Sequence, residues 1–267
     1  MTTVAANLNT ELLCESCGYP ILSLPDNGVC PECGRSRALS MPHTRQGTVW
    51  QNRPSLRNWV VNAKNIVVGP RRFFDSLRID GRHGRLLLVI NLSIAAALLA
   101  HPLVGVFRFD PARGVHDLLT VRGFLTVVTS AGVLWVAAIV FFCMLTFIEF
   151  IGIRFFAARR QWRLLPAAAL QICAHSSYAW IAASLLLVVG LSMSSQLPQF
   201  GANRVAISFW DEVVEGAKFI VPALPPLMGF LAGLMWFEWF VYLGVRSCKF
   251  ANAFPGDATL ASQRTKN

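Results

Sequence analysis

LLLVINLSIAAALLAHPLVGVF, residues 86–107, contains one histidine and no acidic or basic residue. As a helix, these residues would extend about 33 Å, and the apolar core of a bilayer is about 30 Å thick. The whole chain of 267 residues is 54% hydrophobic and only 14% charged, whereas soluble domains are about 25% charged. The stretch therefore predicts a membrane-spanning helix and excludes an ordinary soluble enzyme, a disordered protein and a small disulfide-stabilised secreted module.

Three further stretches are long and apolar enough to cross a bilayer, so four spans are predicted. Their expected bounds are 86–106, 124–150, 166–191 and 219–245. The expected fold class is mainly α, with a four-helix transmembrane region over residues 86–250 and a polar tail over 251–267.

Lysine and arginine are distributed unevenly between the segments that separate these spans. The segment before the first span, the loop between spans two and three, and the tail after span four hold 19 of the 24 Lys and Arg residues. Because Lys and Arg accumulate in cytoplasmic loops, both termini are expected in the cytoplasm and the protein in the cell membrane. Membrane topology is therefore the first explanation for the net charge of +10, and a nucleic-acid partner is the second.

Four of the seven cysteines form two CxxCG motifs ahead of the spans, CESCG at residues 14–18 and CPECG at residues 30–34. Two residues between the thiols let both point at one ion, and the following glycine can adopt the positive φ that turns backbone N–H groups toward the sulfurs. Four thiolates in a tetrahedron are typical of structural zinc. We therefore expect Cys14, Cys17, Cys30 and Cys33 to bind one Zn²⁺, and residues 12–36 resemble a short zinc ribbon.

Two alternatives to zinc remain open for these cysteines. Rubredoxin-type iron sites use similar CxxCG turns, although with a longer segment between them. Two disulfides would also pair the four thiols, but a cytoplasmic location disfavours them. A catalytic zinc is not expected, because four thiolates leave no coordination position for water or substrate.

The residues between the ribbon and the first span divide into two segments. Residues 37–54 lack a periodic apolar pattern and are rich in Arg, Ser, Thr, Gln and Pro, which predicts a flexible basic linker with few contacts to the spans. Residues 55–85 contain an amphipathic helix and a basic, aromatic approach to the membrane. The helix is expected to lie in the membrane interface, and the alternative is a soluble helix packed on the ribbon.

His175 and Glu238 are ionisable residues within spans three and four. At 1.5 Å per residue, they lie roughly 14 Å and 12 Å from the same membrane face. Their similar depth would allow a hydrogen bond between the two side chains. Because ionisable groups within a membrane are energetically costly and often functional, this pair is either a clasp that fixes helix packing or a proton- or ion-handling site.

The membrane region resembles the Yip1-like family of multi-pass proteins over about residues 65–250. The residues that carry the resemblance are Pro70-Arg71-Arg72-Phe73-Phe74 with Leu77, the long span from Leu86, Tyr178 after a basic loop, Trp236-Phe237-Glu238-Trp239, and Gly244-Val245-Arg246. A zinc ribbon joined to such a region is similar to the arrangement in many uncharacterised bacterial membrane proteins. The resemblance implies a helical multi-pass membrane protein.

Three functions from different classes follow from these observations. The first is a membrane scaffold whose ribbon recruits a cytoplasmic protein partner. The second is a membrane-tethered nucleic-acid binder that uses arginines near the ribbon, namely Arg35, Arg37, Arg45, Arg53 and Arg57. The third is a transporter or intramembrane enzyme built on His175 and Glu238. No nucleophile–base motif such as GxSxG or HExxH occurs, so an enzyme is not the favoured interpretation, and the oligomeric state, a homo-oligomer included, stays open.

Overall fold

The computed structural model describes residues 12–80, 83–108, 121–196 and 208–253, and it confirms a mainly helical chain. Two short 3₁₀ segments, Arg37–Ser40 and Pro42–Thr44, precede the helices. The helices are α1 (Val49–Asn52), α2 (Leu56–Val68), α3 (Pro70–Ser76), α4 (Gly84–Arg108), α5 (Val121–Arg159), α6 (Pro166–Ser176), α7 (Tyr178–Gln196) and α8 (Ser208–Cys248). From residue 254 onward, the expected polar tail lies outside the described residues.

Among the described residues, four helical stretches are long and apolar enough to cross a membrane, as expected. They are Gly84–His101, Leu125–Arg159, Pro166–Ser194 and Ala223–Cys248. Most residues of the second stretch are not buried, and large apolar side chains such as Val133, Phe147 and Ile148 are more than half exposed. A soluble protein rarely exposes so large an apolar surface, so the chain has the surface of a membrane-embedded protein.

The third stretch differs from the expected continuous helix, because it is broken between α6 and α7 at Ser177. The amide of Trp180 donates to the Ser177 carbonyl at 3.1 Å. The amide nitrogen of Asn91 in α4 donates to the Ser177 hydroxyl at 2.9 Å. Adjacent serines are a common cause of such breaks, since their hydroxyls compete for backbone partners, and Ser176 precedes Ser177 here.

The chain divides into two compact units. The first comprises Met1–Leu88, Thr146–Ser176 and Trp239–Asn267. Its buried apolar residues include Phe74 of α3 and Ile172 of α6, and both lie against Gly244 of α8. A Cβ added to Gly244 would lie 2.7 Å from the Ile172 side chain, so the absence of a side chain allows these three helices to approach closely.

The second unit comprises Val89–Leu145 and Ser177–Glu238. Its centre is Trp180 of α7, which stacks on Phe237 of α8 with 4.4 Å between ring centroids. Gly229 and Gly233 of α8 form a packing face, because a Cβ on Gly229 would lie 2.5 Å from the backbone of Leu186 and a Cβ on Gly233 would lie 2.2 Å from Ala183. Small residues allow this close approach in membrane helices.

Candidate metal centre

The two CxxCG motifs fold into the same backbone turn, repeated with an offset of 16 residues. Each turn has two equivalent bonds from N–H to C=O: Cys14 to Tyr19 and Gly18 to Cys14 in the first, and Cys30 to Arg35 and Gly34 to Cys30 in the second, all between 2.8 and 2.9 Å. Gly18 and Gly34 have φ of 85° and 71°, a conformation that favours glycine. We call residues 12–21 the first knuckle, residues 28–37 the second knuckle, and residues 12–37 the two-knuckle module.

The four cysteine sulfurs of this module lie within 4.8 Å of one another. Cys14 Sγ is 3.5 Å from Cys33 Sγ, and Cys17 Sγ is 3.5 Å from Cys30 Sγ. Tetrahedral zinc with bonds of about 2.3 Å would place the sulfurs about 3.8 Å apart. All seven cysteines are free thiols in the structure. The expected grouping is therefore confirmed, and the four residues could bind one metal ion.

The environment of the thiols affects their protonation in different ways. Burial raises the pKa of Cys14, but the backbone N–H groups of Cys17 and Ser16 and the neighbouring thiols outweigh it and bring that pKa to about 7. Burial, together with the nearby Cys30 and other sulfurs, raises the pKa of Cys17 to about 12. A metal ion must therefore displace protons from this cluster, and its affinity should fall as the pH falls.

Arg45 lies in a segment that the sequence predicted as linker, yet it is only 4% exposed and holds the first knuckle in place. Its Nε donates to the Glu15 carboxylate at 3.0 and 3.2 Å. Its Nη1 donates to the carbonyls of Phe74 and Leu77 at the end of α3. Its Nη2 donates to the Ser247 carbonyl at the end of α8, at 2.8 Å. One guanidinium thus joins the first knuckle to the carboxyl ends of two helices, where a cation is favoured.

These contacts correct the expected linker. Residues 37–54 contain both 3₁₀ segments and α1, and the expectation of few contacts to the spans is wrong. Burial alone would lower the pKa of Arg45, but the acidic groups of Cys248 and Glu15 raise it above its ordinary value, so the guanidinium stays charged. The sequence did not reveal this role, because nothing in the composition of the segment distinguishes Arg45 from solvent-exposed arginines nearby.

Asn252 is a second polar contact between the module and the end of the last span. Its side chain pairs with both backbone groups of Leu13, accepting from N–H at 3.1 Å and donating to the carbonyl at 2.8 Å. Its Nδ2 also donates to the Ser40 carbonyl at 2.7 Å, and Arg163 donates to its Oδ1 at 2.6 Å. The backbone N–H of Asn252 donates to Glu15 at 3.3 Å. The sequence carried no signal for this residue, because it begins a polar tail.

His175 is completely buried, and both of its ring nitrogens have partners. Nδ1 lies 2.8 Å from the Gln171 carbonyl, and because a carbonyl only accepts, Nδ1 carries the proton. Nε2 of the neutral ring then accepts from the Thr48 hydroxyl at 3.3 Å. Thr48 in turn accepts from the N–H of Gln51 in the capping box of α1. His175 thus anchors α1 to α6.

The hydrogen bond considered between His175 and Glu238 stays a prediction. Glu238 belongs to the second unit and is exposed, whereas His175 belongs to the first. Because both ring nitrogens of His175 already have partners, a bond to Glu238 would have to replace one of them.

The arginines considered for nucleic-acid binding do not form one free basic surface. Arg37 forms an ion pair with Asp26, Arg45 is buried, and Arg35 donates to the carbonyl of Leu39 at 3.1 Å. The remaining two, Arg53 and Arg57, are exposed. The cluster that composition suggested is therefore reduced to three exposed arginines, Arg35, Arg53 and Arg57.

Comparisons with family models, with curated proteins and with solved structures find no match to this chain. The resemblances to a zinc ribbon and to the Yip1-like family therefore rest on the sequence motifs alone.

Proposed function

We propose that the chain is a multi-pass protein of the cell membrane whose two-knuckle module, closed by one structural Zn²⁺, recruits a protein partner at the cytoplasmic surface. The observation that carries this proposal is the attachment of a four-cysteine cluster to the ends of membrane-spanning helices through Arg45 and Asn252. A metal module held in this way is a rigid platform at the membrane.

The chemistry of the four cysteines supports zinc in a structural role. Four sulfurs match the preferred ligands of Zn²⁺ and fill its coordination sphere, which leaves no position for a substrate. The fully buried core of the module consists only of Cys14, Ile21 and Cys30. Such a core is too small to fold the module by itself, and metal binding in comparable peptides supplies about 10–16 kcal/mol.

The second knuckle supports recruitment, because it exposes apolar side chains. Val29 is 59% exposed, and Leu39 in the following 3₁₀ segment is 55% exposed. Exposed apolar groups on a rigid element are suited to a protein interface, whose centre is typically depleted of charge.

The amphipathic helix α2 supports contact with the bilayer. Its exposed apolar residues Leu56, Val60 and Val67 recur at helical spacing, whereas Asn62 and Ile66 on the opposite side are buried. A helix packed on the ribbon would instead bury its apolar stripe. The stripe is suited to the boundary between headgroups and acyl chains.

The distribution of basic residues supports cytoplasmic termini, by the positive-inside rule. The first unit groups the amino-terminal module with Thr146–Ser176 and Trp239–Asn267, which contain the loop between spans two and three and the carboxyl-terminal segment. These are the segments that the rule assigns to one side. Protease accessibility of terminal tags in inverted and right-side-out vesicles tests this orientation.

The metal and recruitment are tested together with a double variant, Cys30→Ser with Cys33→Ser, in the full-length protein. This pair removes two ligands without altering any residue of the first knuckle, Arg45 or Asn252. We expect about one zinc per wild-type chain by elemental analysis and almost none in the variant. We also expect proteins crosslinked to the wild-type module in native membranes to be absent from the variant.

The matched control is Cys143→Ser with Cys173→Ser, which removes two cysteines from the spans and should retain both zinc and the crosslinked proteins. Iron in place of zinc would overturn the choice of metal. Identical crosslinked proteins in the wild type and the metal-free variant would overturn recruitment through the module.

A further inference from the structure

A cavity of about 550 Å³ lies between the carboxyl ends of α5 and α8. Its lining includes three basic residues, Arg160, Arg246 and Lys249, and three aromatic residues, Phe156, Trp162 and Tyr242. No acidic residue is among the described residues that line it. The cavity therefore combines concentrated positive charge with an apolar wall.

The end of α5 builds one side of this cavity. The N–H of Gln161 donates to the Ala158 carbonyl at 3.1 Å, and the N–H of Trp162 donates to the Ala157 carbonyl at 2.9 Å. Gln161 has φ of 55°, so the helix ends in a Schellman motif with a left-handed residue. This turn ends the helix and brings both Arg160 and Trp162 to the cavity.

Aromatic contacts orient the cations without neutralising them. The Arg160 guanidinium lies 5.4 Å from the centre of the Trp162 ring, and Arg246 Nη1 donates to the Tyr242 hydroxyl at 3.1 Å. In the part of the chain that the structure describes, the ion pairs are made by other residues, and none involves Arg160, Arg246 or Lys249. Their positive charges are therefore available to an anion.

The cavity lies where two candidate spans end, because these spans finish at Arg159 and Cys248. Aromatic and basic residues at this level of a membrane protein typically contact lipid headgroups. Phe156 and Tyr242 are 63% and 53% exposed, so one side of the cavity is apolar and open. A soluble phosphate would not need that surface, whereas a phosphate that carries acyl chains would cover it.

We propose that this cavity binds the phosphate of an anionic phospholipid. Arg160, Arg246 and Lys249 hold the phosphate, while the glycerol and the upper acyl chains lie along Phe156 and Tyr242. The proposal rests on the membrane location given above, and it is independent of zinc and of partner recruitment.

The test is native mass spectrometry of the full-length protein in detergent, with phosphatidylglycerol or phosphatidylcholine added. We expect phosphatidylglycerol to bind and phosphatidylcholine to bind at least about tenfold more weakly. Arg160→Gln with Arg246→Gln should weaken phosphatidylglycerol binding by tenfold or more, since each cation near a membrane surface contributes about a fivefold factor.

A control with the same loss of charge is Arg154→Gln with Arg159→Gln. These residues lie on the same helix end but stack over Phe150 and Phe155 and do not line the cavity, so binding should change less than twofold. Lys249→Gln is a milder single variant and should weaken binding about fivefold. Unchanged protection from hydrogen exchange in the first unit of each variant shows that the fold around the cavity is intact.

Three results would overturn the proposal. They are equal binding of the two lipids, an equal loss in the control double variant, and displacement of the lipid by millimolar glycerol phosphate. The last result would identify a site for a soluble phosphate ester instead of a lipid. None of these results would affect the test of the metal or of recruitment.

Discussion

The first and second knuckles have the same backbone turn but different surroundings. Leu13 of the first knuckle is 9% exposed, whereas its equivalent in the second, Val29, is 59% exposed. A Cβ on Gly18 would lie 2.8 Å from the Phe250 ring, but a Cβ on Gly34 would meet nothing within 4 Å. The first knuckle therefore docks on the protein, and the second faces outward.

In the two-knuckle module, different residues therefore determine the turn and the docking of each knuckle. The cysteines and glycines repeat, and they specify the turn and the four thiols that could bind a metal ion. The residues between the cysteines do not repeat, and they decide which knuckle docks. Glu15 of the first pair is buried against Arg45, whereas the equivalent Pro31 is exposed. A ligand motif thus predicts a site but not its attachment.

The largest effect is expected from Arg45→Met, which removes the side chain that docks the first knuckle on the protein. The change leaves the Glu15 carboxylate buried without its cation, which typically destabilises by about 3–5 kcal/mol. We expect the first knuckle and residues 37–54 to lose protection from hydrogen exchange, whereas the buried core around Trp180 keeps it.

Two further variants make that experiment decisive. Arg35→Met removes the same kind of side chain from an exposed position and should cost less than about 0.5 kcal/mol. Adding Glu15→Met to Arg45→Met should recover part of the lost protection, because no charge is then left unpaired. Equal effects of Arg35→Met and Arg45→Met would show that the docked and outward knuckles do not differ as described.

The features that could be predicted from the sequence have local causes. The grouping of the four cysteines follows from their spacing, and the four helices that are long and apolar enough to cross a membrane follow from the length of their apolar runs. Pro166 marks the start of α6, since proline is favoured in the first turn of a helix. The helix that contains the second span continues past residue 150, the expected end of the span, to Arg159, and the turn at Gln161 follows.

The features that could not be predicted depend on contacts distant in the sequence. Arg45 reaches Ser247, which is 202 positions away, and Asn252 reaches Leu13, 239 positions away. Neither residue type is unusual in a polar segment, so composition indicated a linker and a tail. Only the folded chain brings these polar groups to the backbone atoms that they satisfy.

Alanine substitutions of the equivalent glycines, Gly18 and Gly34, are expected to have an intermediate effect, which is measured on zinc affinity. Gly34→Ala forces alanine into a left-handed conformation, at about 1–2 kcal/mol. Gly18→Ala adds a clash with Phe250, and overpacking typically costs a further 1–3 kcal/mol. Zinc affinity measured by competition with a chelator should therefore fall more for Gly18→Ala.

Phe250→Ala checks the cause of that difference. Combined with Gly18→Ala, it removes the clash and should reduce the loss of affinity toward that of Gly34→Ala. If Gly34→Ala were the more damaging substitution, the contact between the first knuckle and Phe250 would not be present in solution.

The smallest effect on stability, and the most specific one on function, is expected from Val29→Ser. Because Val29 is largely exposed, its replacement should change stability by less than about 0.5 kcal/mol and leave zinc content intact. If the outward knuckle is the recruiting surface, loss of this apolar contact should still reduce crosslinking to the partner. Leu13→Ser is the matched substitution in the docked knuckle, and it should reduce protection from hydrogen exchange because Leu13 is buried. A Val29→Ser variant that keeps its zinc, its stability and its full crosslinking would show that the partner binds elsewhere on the module.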